Sequence, residues 1–383
     1  MQVRRRASSA ALLAPLLWIG VSIAVCLLTI RDPEYRSLAP LYKQAVVDWQ
    51  ARQPLYVGPS GMNYLPPFVL LYLPFDALGF PIGDCAWRLL AAGLMAWGLW
   101  RISLRLAPDR GVERFLGVSF LSLLVFVSPL RYGQANALLA GAMVCAVAML
   151  LERRWWLASA FLVLGVWLKP LGLVLLLLAP LTYPAVALPA GILLLGVMAL
   201  PFALAPMEYV ISQYTAAIAN LQACSEVTTN RFANLQGVLR ALGGDLGPSG
   251  MRSLMVVAAL GTAALVWFQA RLLAEPRRAV ALLALAAAYL MLFNPMNEGN
   301  SFGIFSPAVA LIVAVLIDLD GRRSLGWACA GLLAASAILP EALRSVTPAL
   351  HLWLSPLLAV VIGSMLVWLI TRRWPRLVEP INE

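Results

Sequence analysis

The chain has 383 residues, of which 62% are hydrophobic and only 12% charged. A soluble domain carries about 25% charged residues, so a single soluble core of this length is excluded. The net charge of +10 does not call for nucleic acid, because the arginines are scattered between apolar runs instead of clustered on one face.

The apolar runs recur at lengths near the ~20 residues that cross ~30 Å of hydrocarbon. The expected architecture is an all-α polytopic membrane protein, one domain over residues 1–383, with about 12 transmembrane helices. The five cysteines are far apart and show no CxxC spacing, and the one histidine is His351. Neither residue type offers a metal site, and none is expected.

Taken in order, Arg4, Arg5 and Arg6 precede an apolar run from about Ala10 to Ile30. That run exceeds a ~7–15-residue signal core, so it reads as an uncleaved first span with a cytoplasmic start. Residues 31–85 form a long first external loop with re-entrant or interfacial helices. Within it, Asp32, Glu34, Arg36, Lys43 and Asp48 alternate with Tyr35, Tyr42, Trp49, Tyr56 and Tyr64. The apolar piece Leu65–Phe80 is short and holds Pro66, Pro67 and Pro74. It either spans or stays at the outer face. The second choice lets a span at about Ala86–Leu104 deliver Arg105, Arg110 and Arg114 to the cytoplasm, as the positive-inside rule prefers.

Spans at about Phe115–Ser128 and Ala135–Leu151 come next. Two short runs, Trp156–Leu168 and Leu171–Thr182, then flank Lys169–Pro170. Ala185–Leu204 leads to a second external loop over 206–250. Met251–Leu273, Ala279–Phe293, Phe302–Ile317, Leu325–Leu339 and Leu352–Ile370 complete the set. Both termini fall inside, with the basic turns at Arg153–Arg154, Arg277–Arg278, Arg322–Arg323 and Arg372–Arg373–Arg376. The same topology sends five polar segments to the outer face: the first loop, SPLRYGQAN, LKP, NRFANLQGVLR and NPMNEGNS.

Lys169 is one of only two lysines and interrupts an apolar run. An ionisable group in such a place is costly and signals function by default; a lysine snorkelling to the interface is the bland alternative. A phosphate is its natural partner. Arg131 could hold a phosphate bidentately, while the amides of Gln134 and Asn136 either bind sugar hydroxyls or cap the following helix. Glu298, near Asn300, is a general base, a hydroxyl anchor or a helix-terminal charge. Asp32 and Glu34 are further base candidates, or solvated interfacial charges. Asp48 reads as a surface charge. Asn234, Gln236 and Arg240 form an amphipathic pattern that covers the site or lies on the membrane.

Four blocks resemble glycosyltransferase family 87, the C-type membrane mannosyltransferases that use a polyprenyl-phosphate sugar. They are Tyr42-x-x-Ala45 with Trp49, Leu55–Tyr56, Tyr64–Leu65–Pro66–Pro67 and Pro74; Gly133 to Leu139; Leu168–Lys169–Pro170; and Asn294–Pro295 leading to Phe302 and Pro307. They run in family order over about residues 32–310. The resemblance implies a GT-C-like fold in the plasma membrane with an external active face. It implies a polyprenyl-phosphate-linked donor, such as one carrying mannose, a lipid or glycan acceptor, and an inverting displacement with no cofactor. Lys169, Arg131 and Arg36 would hold the donor phosphate. Gln134, Asn136, Asn300, Tyr42 and Tyr64 would meet sugar or acceptor. Family members often carry an aspartate shortly before the tyrosine matched by Tyr42, where this chain has Ser37, Leu38 and Ala39, and histidines where Asn300 and Ser301 stand. Asp32, Glu34 or Glu298 would supply the base instead. A transporter or flippase of a lipid-linked or anionic substrate is the rival reading; it would favour an inverted repeat, and the sequence has none that is clear. A non-catalytic assembly partner is a third reading, under which substitutions of Glu34, Lys169 and Glu298 would leave function intact.

Overall fold

The computed structural model describes residues 2–57, 62–225, 232–343, 345–347 and 349–374. Residues 58–61 of the first loop, Asn230 and Arg231 of the second, and Arg376 lie outside them, as do the side chains of Arg4, Arg5, Arg6, Arg373 and His351. Helices make up most of the described residues, and no strand occurs among them. An apolar chain in hydrocarbon must satisfy its backbone polar groups internally, and helices do so within one segment.

Helix α1 covers Gln2–Arg31, and two short helices follow, α2 (Ala39–Gln50) and α3 (Pro67–Ala77). Next come α4 (Ile82–Leu106), α5 (Gly111–Arg131), α6 (Ala135–Leu151), α7 (Trp155–Leu168), α8 (Leu173–Thr182) and α9 (Ala187–Leu204). The second loop is itself largely helical: α10 (Met207–Ser225) and α11 (Leu235–Ala241) occupy it, and α12 already begins within it (Gly247–Leu272). The chain continues with α13 (Arg277–Phe293), α14 (Ser306–Ala314), α15 (Arg323–Ala342) and α16 (Leu350–Trp368).

Eight of these, taken with the short turns continuous with them, are long and apolar enough to cross a membrane: α1, α4, α5, α9, α12, α14, α15 and α16. The expected count of about twelve is reached only if α6, α7, α8 and α13 cross too, and these have 17, 14, 10 and 17 residues. At a rise of ~1.5 Å per residue, α7 measures only about 21 Å. Helix α3, with eleven residues, is not among the eight. It packs Phe68 and Tyr72 against Trp87 of α4.

The core sits on α6, α13 and α14. All of α6 but Leu151 is buried, and α14 is buried from Ser306 to Ala314. Helix α12 is the most peripheral span, with 11% of its apolar window buried. Polar groups at membrane depth find partners inside the protein. Trp18 Nε1 of α1 donates to Ser119 Oγ of α5 at 2.9 Å.

Short connections make successive helices antiparallel, so the bundle has two chemically different ends. One collects ion pairs between basic turns and nearby acids. Arg101 meets Glu152 at 2.7 Å, and Arg277 meets Asp320 at 2.9 Å. Arg114 pairs with Asp318. The Arg101 guanidinium beside it holds the Glu152 carboxyl below its ordinary range. The other end collects the five polar segments.

The turn at Lys169 depends on a close backbone approach. A Cβ at Gly172 would lie 2.2 Å from the Gly165 carbonyl carbon. Only a glycine lets the start of α8 fold back against α7 here. Gly172→Ala is therefore expected to cost about 1–3 kcal/mol through overpacking, read as a lower melting temperature in detergent, while Gly196→Ala, inside α9 with open space at its Cβ, does not lower it.

Candidate functional site

Five segments distant in sequence are joined at this end by hydrogen bonds. The first loop reaches the Arg131–Asn136 turn through Leu38 N, which donates to Tyr132 O at 3.0 Å. It reaches it again through Tyr42 Oη, which accepts from Ala135 N at 3.0 Å. The Tyr42 phenol thus takes up a free backbone N–H at the start of α6, the role usually given to a capping Ser or Asp. The LKP turn joins when Lys169 Nζ donates to Asn136 Oδ1 at 3.0 Å. Asn136 Nδ2 in turn donates to Ser301 Oγ at 3.3 Å, and Ser128 Oγ donates to Asn300 Oδ1 at 2.6 Å. The second loop closes the set: Ala233 N donates to Asn297 O at 2.6 Å, and Asn234 Nδ2 to Asn294 O at 3.4 Å.

Lys169 lies in the extended break between α7 and α8, outside any helix. Burial lowers its ammonium to about 8, and the Glu298 carboxylate pulls the other way. Lys169 Nζ also stands 5.9 Å from the Tyr64 ring centroid. Of the three candidate acids, Glu298 is the one whose charge reaches Lys169. Glu298 is exposed and caps the short helical turn Gly299–Gly303: its side chain accepts from Ser301 N while its own N–H donates to Ser301 Oγ at 3.3 Å. The helix-terminal role expected of this acid is present, and one network joins it to Lys169. Asp32 and Glu34 lie exposed in the turn after α1.

Gln134 stands at the N-cap position of α6 but makes no side-chain cap. Its Oε1 is buried without a partner, and the residue is 7% exposed. Asn136 does not cap either, since both ends of its amide are engaged elsewhere. A buried acceptor left unsatisfied costs about 1–3 kcal/mol, so the Gln134 carbonyl is a group in want of a donor. The Tyr42 and Tyr64 hydroxyls lie 3.0 Å apart. Because Tyr42 already accepts from Ala135, donating its own proton to Tyr64 satisfies it fully. The Tyr64 proton is then available. Burial pushes the Tyr64 phenol up to about 12, which keeps it protonated.

Arg131 and Arg36 form a second cationic group, held by Tyr35 and Tyr132 at the same turn. The Arg131 guanidinium lies 4.7 Å from the Tyr35 ring centroid. Arg36, in a left-handed backbone conformation at φ 52°, donates to Tyr132 Oη at 3.3 Å. Cation–π contacts of this kind hold a guanidinium without neutralising it.

The sequence reading missed Arg88 and Asp84, which are 2% and 3% exposed inside α4. The signal was their i,i+4 spacing, which pairs opposite charges on one helix face. Asp48 and Gln236 turn out to be local: Gln44 Nε2 donates to Asp48 Oδ1 at 2.8 Å, and Gln236 pairs with Asp245. Among the described residues no group of three His, Cys, Asp or Glu could hold a metal ion.

An all-helical bundle with eight helices long and apolar enough to cross a membrane, among the described residues, defines a membrane protein. The glycosyltransferase family 87 model matches residues 63–295, more than half of the chain. The chain belongs to glycosyltransferase family 87 and is a membrane glycosyltransferase. The match takes in Tyr64, Gln134, Asn136 and Lys169, and is narrower than the resemblance over 32–310. No curated protein and no solved structure matches the chain.

Loss of the Tyr42 hydroxyl removes one bond to a helix start and one to Tyr64. Tyr42→Phe is therefore expected to cost more stability than Tyr64→Phe, by about 1–2 kcal/mol, in paired melting curves of the two variants.

Proposed function

We propose that this chain transfers a hexose, mannose by preference, from a polyprenyl-phosphate donor to a lipid or glycan acceptor. The observation that carries the reading is Lys169, half-buried in the break between α7 and α8, facing the Glu298 turn and bonded to Asn136. A cation in such a place is expensive unless an anion visits it. A lipid phosphate at the membrane interface is an anion of the right chemistry.

In this reading Lys169, with Arg131 and Arg36, holds the donor phosphate and stabilises the charge that grows on it as the glycosidic bond breaks. Gln134 Oε1 accepts from a sugar hydroxyl, and Tyr64 donates to one. Asn300, held by Ser128, offers its amide to another. Tyr42 and Asn136 support these groups through bonds already made within the protein. Glu298 takes the proton from the acceptor hydroxyl as its oxygen attacks the anomeric carbon. The bond from that carbon to the phosphate oxygen breaks, polyprenyl phosphate leaves, and the anomeric configuration inverts. Asp32 and Glu34 sit at the rim, where an acceptor would approach. The donor is a substrate, and the chemistry asks for no cofactor.

The positive-inside rule sets the orientation. The end carrying Arg101, Arg114, Arg277 and Arg278 faces the cytoplasm, both termini lie there, and the site opens at the outer face of the plasma membrane. A count of twelve crossings, with α6, α7, α8 and α13 as the short ones, agrees with that orientation and with a GT-C architecture.

Purified protein in nanodiscs, given a panel of polyprenyl-phosphate sugars, tests the reading by release of polyprenyl phosphate. Release is expected to depend on the sugar and to fall about 10²-fold or more in Lys169→Ala, the scale of removing one preorganised charge-stabilising donor. Since the Lys169 ammonium titrates near 8, activity is expected to fall as pH rises through that value. The guanidinium of Lys169→Arg stays charged, and the alkaline limb should vanish there. No release from any donor by a folded, lipid-binding protein would reject the reading.

A further inference from the structure

The polar groups proposed above hang on one turn, and that turn rests on a buried arginine far from them in sequence. Arg88 is 2% exposed inside α4. Its guanidinium hydrogen-bonds in three directions. Nε donates to Arg131 O at 3.1 Å, Nη1 to Asp84 O at 2.9 Å and Nη2 to Ser37 Oγ at 3.1 Å. Asp84, 3% exposed, faces it at 3.9 Å and receives Lys43 Nζ at 2.7 Å. Three charges, two positive and one negative, thus lie at the junction of α2, α4 and α5.

What this cluster touches decides its role. The three successive carbonyls of Arg131, Tyr132 and Gly133 accept from Arg88 Nε, Leu38 N and Trp87 Nε1. Every main-chain oxygen entering the turn is therefore held from the α2–α4 side. Gly133 lies directly on the guanidinium. Its φ is +61°, and a Cβ there would fall 2.9 Å from Arg88 Cζ. The next residue, Gln134, carries the unpartnered carbonyl; Asn136, two further on, holds Lys169. An apolar side chain could fill the space of Arg88, but it would remove one member of a buried charge cluster and leave three acceptors without their donor. It could not fix three chain segments at defined angles, as a planar fork of five donors does.

We propose that Arg88, held beside the Lys43–Asp84 pair, is a positioning residue. It sets the Arg131–Gln134 main chain and so aims Gln134 at the substrate and keeps Asn136 in place for Lys169. It touches neither substrate nor reacting atoms. The role in transfer rests on the glycosyl-transfer reading; the effect on the turn does not.

The test uses the full-length chain and three variants: Arg88→Met, Gly133→Ala and the double variant. Gly133→Ala keeps the charge but displaces the guanidinium, so it serves if Arg88→Met folds poorly. Hydrogen exchange over residues 131–136, melting temperature, and kcat and KM for the donor are measured for each. Both single variants are expected to speed exchange at 131–136 while exchange in α14 stays as in the parent. Each is expected to lower kcat by about 10–10²-fold, the size of effect that a misplacement of ~1 Å produces, with KM changed less than about threefold. The double variant should lose little beyond either single one, because the two changes act on one contact. Unchanged exchange at the turn, loosening spread evenly over the bundle, or additive losses would each overturn the proposal. If the parent transfers no sugar, the glycosyl-transfer reading fails, and exchange at 131–136 still decides the part played by Arg88.

Discussion

The hydrogen bond from Lys169 to Asn136 holds the polar end of this protein together. It joins the break between α7 and α8 to the start of α6, and Asn136 passes the connection to Ser301 and the Glu298 turn. With little water at hand, each polar group placed there needs a partner from the protein or from a ligand. The amide of Asn136 has one orientation that satisfies both neighbours: oxygen toward the ammonium, nitrogen toward the serine. Once that is fixed, the remaining unsatisfied groups stand out. The Gln134 carbonyl has no partner, and the Tyr64 proton is free to seek an acceptor.

The rest of the fold can be understood as support for this arrangement. Backbone contact at Gly172 closes the turn that presents Lys169. The Tyr42 phenol caps α6, and its ring packs edge-on against Phe68, Tyr72 and Trp87, with centroids 4.9–5.9 Å away. Through that aromatic cluster the short helices α2 and α3 lock onto α4. The second loop is stapled to both neighbours, with Tyr209 Oη donating to Gln53 O at 2.8 Å and Asn234 reaching Asn294. The pairs of Arg101 with Glu152 and of Arg277 with Asp320 lie at the opposite end.

Much of this was legible in the sequence. Apolar length gave the long helices to within a few residues: α6 spans Ala135–Leu151 as read, and α9 begins two residues later than expected. Alternating sides placed five polar segments at one end, and the structure joins those five. Lys169 stood out because lysine is so rare in this chain. The helical character of 206–250 was hidden, since polar residues there mask a fold stabilised by contact with the first loop. Arg88 and Asp84 were hidden for the opposite reason. They sit one turn apart inside an apolar helix, among many arginines, and only the three-dimensional position of Gly133 gives them meaning. The number of crossings stays the least legible quantity, because α7 and α8 are too short for a hydropathy window to tell a span from a re-entrant pair.

A structure of the protein with a non-hydrolysable polyprenyl-phosphate sugar bound would test the central claim most directly. The account predicts the phosphate within hydrogen-bond distance of Lys169 Nζ and a sugar hydroxyl donating to Gln134 Oε1. A headgroup bound away from the Arg131–Asn136 turn, with Lys169 still engaged only by Asn136, would contradict it.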